Sequence, residues 1–131
     1  MSLPQTKEQE RATKAWDCIT AVKDQSYAGQ YGGWVKRLPA LILTNGLGQT
    51  LAYLRAKGPK SHGVDNAPQT LYQHISDWIM DQIGPGTGSA LEWLLGQDSS
   101  TYRRATTESL AFLNWLKRFA EAELRIEEEK H

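Results

Sequence analysis

The chain has 131 residues, with 15 basic and 15 acidic side chains and a formal net charge of zero. That length suits one domain over 1–131, able to bury roughly two thirds of its unfolded surface without staples. Cys18 is the only cysteine, which excludes an internal disulfide and a thiolate metal cluster, and no stretch approaches the roughly 18 apolar residues of a membrane span. The opening MSLPQTKEQERATK carries no run resembling a secretory signal, so a reducing, cytoplasmic setting is expected.

Along the chain, Ala12, Ala15, Trp16, Ile19 and Val22 recur at helical spacing and predict a first helix over Gln5–Asp24. Thr6 and Gln9 form a capping-box pattern at its start. Residues 25–33 hold three glycines and read as a flexible joint. A short helix over Tyr31–Leu38 is expected next, with Pro39 opening another that Asn45 and Gly46 end. Helix resumes over Gln49–Ala56, with Leu47, Leu51 and Leu54 as its buried stripe. A strand at Leu38–Leu43 with an Asn45-Gly46 hairpin is the rival, set aside because too few partner strands exist.

A polar loop over 57–67 precedes a helix opened by Pro68 and carrying Leu71, Ile75, Trp78, Ile79 and Ile83. GPGTG at 84–88 stops it, and Ser89 with Glu92 reads as a second capping box before a short helix to Leu95. The longest helix is expected over Ser99–Glu129. Tyr102, Thr106, Leu113, Leu116 and Ala120 mark one apolar stripe, and Phe112, Trp115, Phe119, Ala122 and Ile126 its neighbour. The acidic end, 127–131, is expected to fray. These elements make an all-α bundle of five to seven helices, in which the long first and last helices pack around short central ones.

Charge is unevenly spread. Residues 1–60 hold nine Lys or Arg against four acids, 61–97 hold four acids and no Lys or Arg, and 98–131 are nearly balanced. Such asymmetry can build a basic face, complementary ends for stacking copies, or simply a solvated surface. Lys36-Arg37 and Arg55-Lys57-Lys60 cluster at predicted helix ends. There they either complement the negative helix terminus or contact phosphates without reading bases. Tyr31, Trp34 and Tyr53 are the aromatics near enough to stack on bases, with core packing as the alternative for each.

Catalytic patterns are sparse. His62, His74 and His131 lack ligand partners at zinc spacing and read as surface residues. Asp77 and Asp81, four apart on a helix, are a weak magnesium pair and a better acidic contact face. GPGTGS and NGLGQT lack the Lys-Ser/Thr ending of a P-loop, and Cys18 has no basic neighbour to lower its pKa. No catalytic residue, metal or cofactor is expected.

The segments RATKAWDCITAVK at 11–23, YGGWVKRLPALILTNGLGQTLAYL at 31–54 and YRRATTESLAFLNWLKRFAEA at 102–122 together resemble one family. It is the small helical subunit of type III-B CRISPR (Cmr) effector complexes, the fifth subunit of the Cmr set. The resemblance implies a cytoplasmic, non-catalytic subunit of an RNA-guided antiviral complex. Its implied partners are other Cmr subunits, especially the guide-carrying backbone subunit, further copies of itself stacked as a minor filament, and target RNA or the guide–target duplex. It implies no membrane and no small-molecule substrate. Under it, Lys14, Lys36, Arg37, Arg55, Lys57, Lys117 and Arg118 are the RNA-facing candidates. Arg103 and Arg104, opposite Asp77, Asp81 or Glu92 of the next copy, are the candidates for the self-interface. A pure protein-interaction module without RNA contact is the alternative.

Overall fold

A computed structural model describes residues 4–58 and 66–126. Most of the polar loop, the acidic end 127–131, Lys60, His62 and His131 lie outside the described residues. The described residues form six helices and no strand: α1 Lys7–Val22, α2 Ala28–Asn45, α3 Leu47–Lys57, α4 Ala67–Gln82, α5 Ala90–Leu95 and α6 Ser99–Glu123. The all-α expectation holds, and the hairpin alternative is excluded. None of these helices is long and apolar enough to cross a membrane.

The capping box at Thr6 forms as expected. The Thr6 hydroxyl accepts from the Gln9 N–H at 3.1 Å, and the Thr6 N–H donates to Gln9 Oε1 at 2.8 Å. Ala15, Cys18, Ile19 and Val22 then bury the inner face of α1 against α6. The other face of α6 meets α2 and α4, so its buried Ala105, Phe112, Leu113, Leu116 and Ala120 sit at the centre of the core. The two-stripe pattern of this helix accounts for that position.

Three expectations fail. The first is the joint at 25–33 with a helix break at Pro39: α2 runs unbroken from Ala28 to Asn45, through Gly32, Gly33 and Pro39. Tyr31, Val35, Leu38 and Ile42 bury one continuous face, and that burial outweighs about 1 kcal/mol of helix propensity per glycine and the N–H that Pro39 lacks. Gly32 also has a packing role. A Cβ there would lie 2.8 Å from Cγ1 of Ile126, so any other residue must displace the side chain that packs back after α6. The second is the Ser89–Glu92 capping box. Ser89 makes no cap bond; its hydroxyl hydrogen-bonds Tyr72, and Glu92 pairs with Arg55. The third is the reach of the last helix, which ends at Glu123, after which Leu124 turns extended.

The Asn45-Gly46-Leu47-Gly48 connection is a one-residue corner between α2 and α3. Gly46 takes φ +89°, a left-handed angle that favours glycine. The Gly48 N–H donates to the Tyr102 hydroxyl at 2.7 Å, and a Cβ at Gly48 would sit 3.0 Å from that oxygen. The first turn of α6 therefore clamps the corner.

A polar bolt joins α1, α4 and α6. Glu108 accepts from Arg11 at 2.6 and 3.0 Å and from the Trp78 indole at 3.0 Å, while Glu8 holds Arg11 from the other side at 2.8 Å. Burial pushes the Glu108 carboxyl up, but the Arg11 and Trp78 hydrogen bonds and the Arg11 and Lys7 charges outweigh it and leave it below its ordinary 4.5. Below the usual range means that the bolt's contribution is complete above about pH 4.5 and is lost as pH falls through the folded value. Glu108→Ala, which leaves the Trp78 N–H without its acceptor and Arg11 with Glu8 alone, is expected to lower stability by about 2–3 kcal/mol in urea unfolding at pH 7. Glu108→Gln is expected to flatten the acid limb; an acid limb identical to that of the unaltered chain would refute this account of the bolt.

Candidate nucleic-acid interface

The sharp corner at Gly46 lays α3 beside α2 and leaves a groove along their outer side. Trp34, Arg37 and Leu41 recur at helical spacing on a face of α2 distinct from the buried Tyr31, Val35, Leu38 and Ile42. Tyr53 and Lys57, one turn apart, face them from α3. Ala40, Thr44 and Asn45 complete the described lining of a groove of about 650 Å³. A neighbouring furrow of about 500 Å³ shares Leu41, Asn45 and Tyr53 and adds Gln49, Thr50 and Ala52.

Inside the groove, cations and rings alternate. The Arg37 guanidinium lies 4.7 Å from the Trp34 ring centroid, and Lys57 Nζ lies 5.3 Å from that of Tyr53. The two rings meet edge to face at 5.7 Å. Each cation is held over a π face by the ring quadrupole, which fixes flexible side chains while leaving their charge near the surface. Tyr53 is 45% exposed.

The remaining sequence candidates are dispersed. Lys36 is exposed on α2, one helical turn beyond Gly32. Arg55 is ion-paired with Glu92 and lies over the Tyr72 ring, on the α4–α5 side of α3. Lys14 is half-buried on α1, where its charge acts on Cys18 and His74. Lys117 and Arg118 lie on α6, outside the described lining of both α2–α3 grooves. Of the seven RNA-facing candidates, Arg37 and Lys57 share a groove.

The self-interface candidates also separate. Arg103 and Arg104 line a groove of about 560 Å³ with Lys7, Gln82, Ser100 and Thr107. Asp81 stands beside it, accepting from Gln82 at 2.9 Å. Asp77 accepts from Gln73 at 2.7 Å and borders the groove of His74, and Glu92 belongs to the Arg55 pair.

Of the three stacking aromatics named from sequence, Tyr31 is ruled out. It is fully buried, its hydroxyl 2.7 Å from His74 Nδ1. His74 is correspondingly half-buried and not the surface residue expected. Burial, then the Lys14 charge, pulls its pKa from 6.5 to about 4, against the opposing charge of Asp77. Burial keeps the Tyr31 phenol protonated, and its hydroxyl shares one hydrogen bond with Nδ1 of the imidazole, whose tautomer sets which of the two donates. Burial pushes the Cys18 thiol from 9.0 up to about 12, and the Asp17 and Asp77 charges add to that against Lys14. The free N–H groups at the start of α5 are satisfied from α4: Ser76 Oγ accepts from Ala90 at 2.8 Å and the Tyr72 hydroxyl from Leu91 at 3.3 Å. The GPGTGS loop therefore offers no open anion cradle. Among the described residues, no three His, Cys, Asp or Glu side chains are grouped to hold a metal ion.

The Leu41 floor was missed in sequence. The signal was present in the i, i+3, i+7 run of Trp34, Arg37 and Leu41, but the supposed break at Pro39 cut it in two.

A family model described as CRISPR-associated protein (Cas_Cmr5) matches residues 7–123. A relative from Thermus thermophilus named CRISPR system Cmr subunit Cmr5 is 31% identical over 120 residues, covering 89% of this chain and 95% of that protein. A crystal structure of a CRISPR-associated Cmr5 family protein from the same organism superposes with a TM-score of 0.76 at 26% identity. It covers 92% of this chain and 99% of that one.

The buried Tyr31–His74 pair carries its own test. With a folded pKa of about 4 against 6.5 unfolded, His74 costs stability as pH falls from about 6.5 to about 4, because the unfolded chain takes up the proton first. In the folded chain its ring NMR signals are expected to stay those of a neutral imidazole down to about pH 4, while native Cys18 resists thiol reagents at pH 8. A His74 midpoint above pH 6 would show that the ring is open to water.

Proposed function

Because the chain belongs to the Cmr5 family of CRISPR-associated proteins, we propose that it is a non-catalytic, cytoplasmic structural subunit of a Cmr effector complex. It docks against the other subunits and further copies of itself, and it touches target RNA through cations that hold phosphates without reading sequence. The observation that carries the RNA contact is the α2–α3 groove, where Arg37 and Lys57 are seated over Trp34 and Tyr53. Guide pairing supplies specificity in such a division of labour, and the protein recognises backbone and shape. The buried, high-pKa Cys18 and the shielded His74 offer no activated nucleophile or base, in keeping with a bracing role.

A protein-only interaction module is the second reading. The formal net charge of zero favours it, since the chain as a whole exerts no net electrostatic pull on a polyanion.

The test is the assembled complex carrying Arg37→Glu and Lys57→Glu together. Target-RNA affinity is expected to fall, equally for every sequence. The slope of log affinity against log salt is expected to flatten by about 0.7 for each single-strand phosphate that is no longer held. Unchanged affinity and slope, with crosslinks from this subunit to protein alone, would replace this reading by the second.

A further inference from the structure

We infer that the outer face of α6 is a track for the phosphodiester backbone of an RNA strand, held at one end by Arg103 and Arg104 and at the other by Lys117 and Arg118. This rests on the subunit reading given above but not on the α2–α3 groove, because it uses other residues on another face.

Helical period places the two pairs together. Each residue of the second pair follows its counterpart in the first by 14 positions. Fourteen steps of about 100° return to within about 40° of the same direction, and a rise of about 1.5 Å per residue carries the second pair about 21 Å along the axis. Arg103, Arg104 and Arg118 are exposed, and Lys117 is half-buried, on the side away from the buried Ala105, Phe112, Leu113 and Leu116. The exposed residues between the pairs are Thr107 and Asn114, both short and polar. At the first pair the surface deepens into the groove of about 560 Å³, where the Ser100 and Thr107 hydroxyls can donate to a phosphate oxygen. Glu108 lines that groove with both oxygens already taken by Arg11 and Trp78.

The charge on this face is uncompensated. Glu123 pairs with Lys23 of α1, which leaves Glu121 as the exposed acid of α6. Among the described residues, Arg104, Lys117 and Arg118 have no hydrogen-bond or ion-pair partner, while Arg103 feels the Asp98 carboxylate at the helix start. Three of the four cations are arginines, whose planar forks match phosphate oxygens two at a time. Their separation of about 21 Å asks for a long anion with repeating charge. A stacked strand spans it with about six nucleotides at about 3.4 Å each. An acidic protein surface also supplies charge, but protein interfaces seat large apolar or aromatic anchors at their centre. The large apolar side chains exposed among the described residues are Trp16, Leu43, Tyr53 and Leu95, none of them on α6. Contacts of this kind position a backbone and read no bases.

The full chain, isotopically labelled, is titrated by NMR with two short single-stranded RNAs of different sequence and with polyglutamate of equal charge. The Arg104 and Arg118 side-chain signals are expected to shift equally with both RNAs and far less with polyglutamate. Four single-strand contacts give a log–log salt slope of about −2.8, so RNA affinity is expected to fall about fiftyfold between about 50 and 200 mM salt. In the Arg104→Gln, Arg118→Gln double variant, which keeps two contacts, the fall is expected to be about sevenfold. Retained Tyr31 and His74 ring signals verify that this surface variant is folded. Equal shifts with polyglutamate would overturn the inference, as would shifts confined to Arg103 and Arg104 and indifferent to Arg118→Gln. Absence of RNA shifts, with unchanged target affinity of the assembled complex carrying the double variant, would overturn it as well. Normal affinity and slope in the double variant beside lost binding in Arg37→Glu, Lys57→Glu would remove the track and leave the α2–α3 reading standing. The reverse pattern would keep the track and remove the groove.

Discussion

Glu108 stands where three helices meet. It projects from α6, accepts two hydrogen bonds from Arg11 of α1 and one from the Trp78 indole of α4, and so sets the rotation of each about the other. Apolar burial alone supplies attraction without direction; directed bonds to a shielded carboxylate select one register among several that bury similar area. Beside it, Trp78 and Phe112 stack at 5.1 Å, tying the polar bolt to the apolar core.

With α1 and α4 settled on α6, the outer side of α2 and α3 is one of the faces left open on the bundle. The corner at Gly46, pinned by Tyr102, fixes how those two helices diverge and hence the width of the groove between them. The neutral net charge conceals this arrangement. On the α1 side, Glu8, Glu10, Glu108 and Glu123 engage Arg11, Lys7 and Lys23 within the fold. In the groove, Arg37 and Lys57 lie over the Trp34 and Tyr53 rings, so a chain balanced overall carries two cation–ring pairs on that face.

Much of the helical framework was legible in the residues themselves. The Thr6 capping box, the Asn45-Gly46 corner, the proline near the start of α4 and the Leu113, Leu116 and Ala120 stripe of α6 are local or periodic signals, and each appears where its chemistry requires. The errors lie where distant contacts overrule local preference. Gly32 and Pro39 weaken a helix in isolation, yet Tyr31, Val35, Leu38 and Ile42 hold it together by burial that becomes visible only when α4 and α6 are in place. Ser89 makes a good cap in isolation, but Tyr72 takes its hydroxyl.

The candidate site divides in the same way. Residue type and helical period determined from sequence alone that this chain is an all-α bundle and that it carries cations near helix ends. Which cations converge was decided by the tertiary structure. Arg37 and Lys57 are 20 positions apart and meet across a corner, whereas Arg55, two residues from Lys57, turns toward Glu92. The physical reason is that a helix rotates about 100° per residue, so sequence neighbours face different partners. Only the packing of each helix against the rest decides which face remains in water.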